Sequence, residues 1–216
     1  MLIAEEFLLL CLDDESGKLA VGVSIEPALG GAVLVELGLQ ERVGVRPGKT
    51  PERPDLHVID STATDDPVLD DAVRYLLDNE RVSVYDIVNA FSDSPITEGL
   101  RGRLLVRLAD AGVLTQERGK VLGVFPTTTW PTADPAPEAE VRSRLRRALL
   151  DGEAQTERTA ALVGLLQATE TLEQAVPTED TKALKARAAS ITEGDWAAQA
   201  VRQAVDELTM MFLLLL

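Results

Sequence analysis

The stretch from Ala28 to Leu39, ALGGAVLVELGL, is of helical length and carries a single ionisable side chain, Glu36. A helix that is apolar around most of its circumference cannot lie on a surface, because its exposed sides would forgo burial worth roughly 25 cal/mol per Å². Other elements must wrap it. Leu2 to Leu12 is a second such run, polar only at Glu5 and Glu6, so the two segments together predict the first pair of a helical core. Pro27 is suited to open the central helix, and Gly30 with Gly31 to permit close backbone approach at up to ~1 kcal/mol each.

Around this pair, apolar spacing predicts helices over Val68–Leu77, Val84–Phe91, Ile96–Ala111, Val141–Leu150, Thr159–Leu172 and Thr178–Ala189. A last helix follows Asp195, and its end, Met210–Leu216, is apolar all round. Val113–Thr115 and Val121–Thr127 predict one β-hairpin with Glu117-Arg118-Gly119-Lys120 at its charged tip. Arg42–Val45 and Leu56–Ile59 are short strand candidates inside a long Pro/Gly-rich connection, and Pro126–Pro137 reads as a linker too short to separate domains. The fold expected is a single domain over residues 1–216, mainly α, a helical bundle core surrounded by amphipathic helices with one β-hairpin.

The formal charge of −15 argues against generalised nucleic-acid binding, which needs a net basic face. Three helices followed by a hairpin is also the order of winged-helix DNA readers, but the helices before the arginine-bearing one are rich in Asp and Glu. One cysteine, Cys11, and one histidine, His57, remove disulfide frameworks and Cys/His metal sites, and fit a reducing cytosol. The N-terminus lacks a basic leader, and no segment reaches the ~20 apolar residues that span a bilayer. The run Asp65-Asp66-Pro67-Val68-Leu69-Asp70-Asp71 has a magnesium-binding look, yet no second aspartate cluster exists to share the ions. Asp66 as N-cap, Pro67 at the first helical position and carboxylates near the positive helix end explain it sufficiently. With no Ser/His/acid set, Walker loop or dinucleotide fingerprint, the chain reads as a non-enzyme with no metal and no cofactor.

Positive charge gathers in two places. Arg103 and Arg107 fall on one helix face with Arg101 turned to another side, and Arg142, Arg144, Arg146 and Arg147 form the densest cluster in the chain. These seven are the candidate anion-binding residues; the competing reading is a solvated face paired with nearby acids.

Four blocks in order resemble the Golgi phosphoprotein 3 family, in its bacterial form. They are Leu2-Ile3-Ala4-Glu5-Glu6-Phe7-Leu8-Leu9-Leu10, then Leu29-Gly30-Gly31-Ala32-Val33-Leu34-Val35-Glu36-Leu37. Thr64-Asp65-Asp66 with Leu69-Asp70-Asp71-Ala72 is similar to the family's Thr-Gly-Asp turn and Leu-Asp-Glu-Ala helix, and Leu104 to Thr115 matches the helix before its hairpin. The resemblance implies a mostly helical fold without catalysis and a hairpin that contributes to oligomer contacts. Eukaryotic relatives are peripheral membrane proteins that recognise phosphatidylinositol 4-phosphate and act as adaptors for glycosyltransferase tails. Where those relatives carry a pocket Trp, this chain has Val21 or a near neighbour; an Arg becomes Gly30; of two basic residues three apart, the first is Glu98 and the second, Arg101, is retained. The implied protein is a cytoplasmic, peripheral membrane adaptor with a degenerate phosphoinositide headgroup pocket. It would dock weakly on an anionic phospholipid surface, engage protein tails, self-associate through the hairpin and bind no nucleic acid. The alternative is an oligomeric protein-interaction scaffold that has lost lipid recognition.

Overall fold

In the computed structural model, α1 (Ile3–Cys11) and α2 (Glu26–Leu39) pack against each other at the centre of the molecule. Residues 1–19, 25–50, 53–79, 99–121 and 125–193 are described; the helices expected at Val84–Phe91 and after Asp195, and the Val21 and Glu98 positions, lie outside them. Every residue of α1 is buried, as is every residue of α2 from Ala28 to Gly38. Both helices lack a solvent face because their sequences offer none.

Around them stand α3 (Pro67–Asp78), α4 (Leu100–Asp110), α5 (Ala136–Leu149), α6 (Glu157–Ala168), the single turn α7 (Leu172–Ala175) and α8 (Thr181–Glu193). The expected inward stripes are the buried ones: Leu100, Leu104 and Leu108 of α4, and Val141, Leu145 and Leu149 of α5. Thr159–Leu172 is not one helix. Glu170 adopts φ +56° after α6 ends, and Thr169 and Thr171 hydroxyls meet at 2.9 Å before α7 begins.

The molecule is mainly α, as expected, with two antiparallel hairpins among the described residues where the sequence reading had one. The long connection after α2 folds into β1 (Val43–Thr50) and β2 (Arg53–Val58), paired Val43 to Val58 and Val45 to Leu56, with an irregularity between Arg46 and Thr50. Val43 and Leu56 are buried, β1 against α2 and β2 against α3. The expected hairpin is shifted: β3 is Glu117–Val121 and β4 is Phe125–Thr129, so Glu117 to Lys120 lie in a strand and not at a tip. Val113 and Leu114 are consumed differently. Both are buried, the Val113 N–H closes α4 on the Leu108 carbonyl at 2.9 Å, and Leu114 bridges Thr132.

That bridge fixes the segment containing Trp130. The Thr115 N–H donates to Pro131 O at 2.9 Å, and the Thr132 N–H donates to Asp14 O at 3.1 Å. Gly17, at φ +58°, sits so close beneath it that an added Cβ would lie 2.0 Å from the Trp130 carbonyl carbon. Only glycine fits there.

Candidate functional site

The local sequence of α3 and α4 positions the first group of arginines. Asp66 caps α3 by accepting the Val68 N–H at 2.9 Å and the Leu69 N–H at 3.4 Å, and Pro67 fills the first helical position. Asp65 before it holds φ +62°, the left-handed turn where the family's pattern has glycine. Asp70 turns back to accept Thr64 N and Oγ1, each at 2.7 Å, and Asp71 pairs with Arg74 and Arg103 at 2.8 Å. The aspartate run is therefore committed to capping and ion pairing.

With the leucines of α4 turned inward, its arginines project outward. Arg101 Nη1 meets Glu26 Oε1 at 2.8 Å, and Arg103 Nη2 meets Asp71 Oδ2 at 2.8 Å. Arg107 reaches inward from the same face, with Nε 3.1 Å from Glu5 Oε1 and Nη1 2.9 Å from Asp66 Oδ1. Burial by itself raises the Asp66 carboxyl, but the hydrogen bond from Arg107, the Val68 N–H and the Arg107 charge together hold it below the ordinary range.

On α5, Arg142 pairs with buried Glu138 at 2.6 Å and donates from Nη1 to the Gln174 and Ala175 carbonyls at 3.1 and 2.7 Å, capping α7. Arg144 pairs with Glu6. Arg147 meets Glu153 at 3.5 Å, whereas exposed Arg146 reaches the Pro177 carbonyl at 3.4 Å and pairs with no acid among the described residues. The seven candidates thus divide by environment. Arg107, Arg142 and Arg144 neutralise the buried carboxylates of Glu5, Glu138 and Glu6, while Arg101, Arg103, Arg146 and Arg147 stand near solvent. They also occupy two helices, α4 and α5, each packed on α1.

The arginine missed by sequence reasoning is Arg158, at the start of α6. It gives Nε to Glu6 Oε1 at 3.2 Å, Nη1 to both Glu36 oxygens at 2.8 and 2.9 Å, and Nη2 to the Met1 carbonyl at 2.6 Å. The signal was present in the run that opens this chain. Three acids, Glu5, Glu6 and Glu36, sit in two helices with no exposed face, and buried carboxylates require cations.

Two grooves adjoin these residues. One, about 580 Å³, lies between α3 and α4 beside Trp130; Pro67, Val68, Gly99, Gly102 and Val106 line it together with Arg103 and Arg107. The other, about 620 Å³, is lined by apolar Leu108, Val113 and Pro137, by the acids Asp110, Asp134 and Glu140, and by Arg107 with its partner Glu5. Cys11 is buried and its thiol is pushed up to about 12 by that burial, which Arg142 offsets only in part, so it is no nucleophile. Among the described residues no group of three His, Cys, Asp or Glu is placed to hold a metal ion, and no helix is long and apolar enough to cross a membrane.

These features define a mainly α-helical domain built on a doubly buried helix pair, with its charged side chains spent on holding helices together and its accessible concavities lying at the surface. The chain belongs to the Golgi phosphoprotein 3 (GPP34) family, whose model matches residues 3–208. It is similar to vacuolar protein sorting-associated protein 74 of Eremothecium gossypii, 28% identical over an alignment 162 residues long that covers 68% of this chain and 49% of that relative. It spans about half the length of that protein. Of the positions that the resemblance matches to the relatives' headgroup pocket, Arg101 pairs with Glu26 and Gly30 is buried on α2.

Proposed function

We propose that the protein is a non-enzymatic peripheral membrane adaptor whose phosphoinositide-type headgroup pocket is degenerate and whose hold on anionic phospholipid is weak. The observation that carries this reading is the position of Arg101 and Arg103 on the outer face of α4, with side chains 42% and 37% exposed. Ion pairs this exposed stabilise by only about 0–1 kcal/mol, so a lipid phosphate can replace Glu26 or Asp71 as partner at little loss. Each arginine near an anionic surface adds on the order of 1 kcal/mol. Arg146 and Arg147 are accessible in the same sense; Arg107, Arg142 and Arg144 are not, because withdrawing them would strand buried acids. The relative's name associates that protein with vacuolar protein sorting, which supports an adaptor reading for this chain.

The test is co-sedimentation with phosphatidylglycerol vesicles across ionic strength. Wild-type protein should pellet at low salt and be released near physiological salt, and Arg101→Ala with Arg103→Ala should abolish pelleting without altering the unfolding midpoint. No pelleting at low salt with any anionic lipid would sink the membrane role.

A second reading, a protein-interaction scaffold without lipid affinity, is favoured by the second groove. Asp110 and Glu140 carry no ion pair among the described residues, and the apolar lining beside them suits a basic, partly apolar polypeptide tail. Lipid indifference together with stable self-association by light scattering would support it.

A further inference from the structure

Resting on the lipid-docking reading, we infer that the groove between α3 and α4 beside Trp130 receives one acyl chain of an anionic membrane lipid, with the headgroup at Arg103. It is lined by Pro67, Val68, Gly99, Gly102 and Val106, and Arg101 is not among its lining residues. Its wall presents almost no polar surface. That property selects the occupant. A polypeptide laid in the groove would bury main-chain N–H and C=O groups against a surface with nothing to accept or donate, whereas an alkyl chain has no such groups. The volume, about 580 Å³, falls in the usual range for small-molecule sites.

Charge points the same way. Arg103 lines the groove, is 37% exposed, and pairs through Nη2 with Asp71 alone among the described residues. A phosphate or carboxylate beside it finds a guanidinium fork there. Trp130 completes an interfacial arrangement, a half-buried indole beside an apolar slot and a cation, and its backbone is held by the Pro131, Thr132 and Gly17 contacts. Gly99, the residue that precedes α4, and Gly102 within it put no side chain into the slot. A Cβ added at Gly102 meets nothing within 4 Å, so the helix tolerates a side chain there and the space it would fill is the groove.

The experiment uses the full chain with octyl, decyl and dodecyl phosphate below their micelle concentrations, read by isothermal calorimetry and by Trp fluorescence in a Trp196→Phe background. Wild-type affinity should rise about tenfold for every two added carbons, and inorganic phosphate should not bind measurably. Gly102→Leu should remove the chain-length dependence while leaving the thermal midpoint equal or higher. Arg103→Gln should weaken every alkyl phosphate about equally and retain the dependence on length. Affinity independent of chain length, or unchanged by Gly102→Leu, overturns the inference, as does displacement of decyl phosphate by a synthetic Asp206–Leu216 peptide. Vesicle binding separates the two readings: Gly102→Leu that pellets like wild type refutes the groove and keeps the docking surface. Soluble alkyl phosphate binding that Gly102→Leu blocks, without vesicle pelleting, keeps the groove and refutes the docking surface.

Discussion

Replacing Arg158 by Met should strongly destabilise the protein. The side chain neutralises Glu6 and Glu36, both buried, and its four contacts run from 2.6 to 3.2 Å. In the variant, Glu6 keeps Arg144, but Glu36 is left with the Ile3 N–H at 2.8 Å and no cation. Stranding a buried charge in this way costs about 3–5 kcal/mol, a large share of the ~5–15 kcal/mol that holds a domain together. With a urea dependence of roughly 2 kcal/mol/M, the unfolding midpoint should fall by about 2 M. Adding Glu36→Gln removes the stranded charge and keeps an acceptor for Ile3, so the double variant should recover roughly half of the loss. Urea titration followed by far-ultraviolet circular dichroism reads both. A midpoint shift below about 0.5 M for Arg158→Met, or no recovery in the double variant, would refute the claim that charge burial rather than packing gives Arg158 its weight.

Three further outcomes follow from the geometry. Asp65→Gly, which relieves a left-handed turn at φ +62°, should raise stability by about 0.5–1 kcal/mol in the same titration, and a loss would mean that Asp65 makes a compensating contact. Asp66 has a folded pKa below its unfolded value of about 3.9, so its contribution is complete above that value and lost as pH falls through the lower folded one. The acid limb of stability against pH should therefore flatten in Asp66→Asn, and an unchanged limb would assign the acid sensitivity elsewhere. Cys11 should not react with a thiol reagent at pH 8 while the chain is folded and should react promptly in urea; fast labelling of native protein would contradict its burial.

Elements were more legible in the sequence than their contacts. The apolar runs of α1 and α2 and the leucine spacing of α4 identified the centre and the inward faces, because hydrophobic periodicity is a local property that survives in one dimension. Strand boundaries were less so. Val113 and Leu114 have the composition of a strand start, yet the folded chain uses them to plug the core below α4 and begins pairing at Glu117. The hairpin of β1 and β2 was visible only as its two ends, since Pro47, Gly48, Pro51 and Pro54 mask the alternation between them.

The arginines mark the division most clearly. Their clustering on α4 and α5 is a fact of the sequence, and so is the family to which the four ordered blocks belong. Two of them are held by residues more than a hundred positions away, Arg107 by Glu5 and Arg144 by Glu6, and so is Arg158 of α6, by Glu6 and Glu36. A helix records in its own spacing which side must leave water, because burial depends on each residue's polarity. It does not record which distant carboxylate will lie opposite a guanidinium, because that distance exists only after the helices have packed.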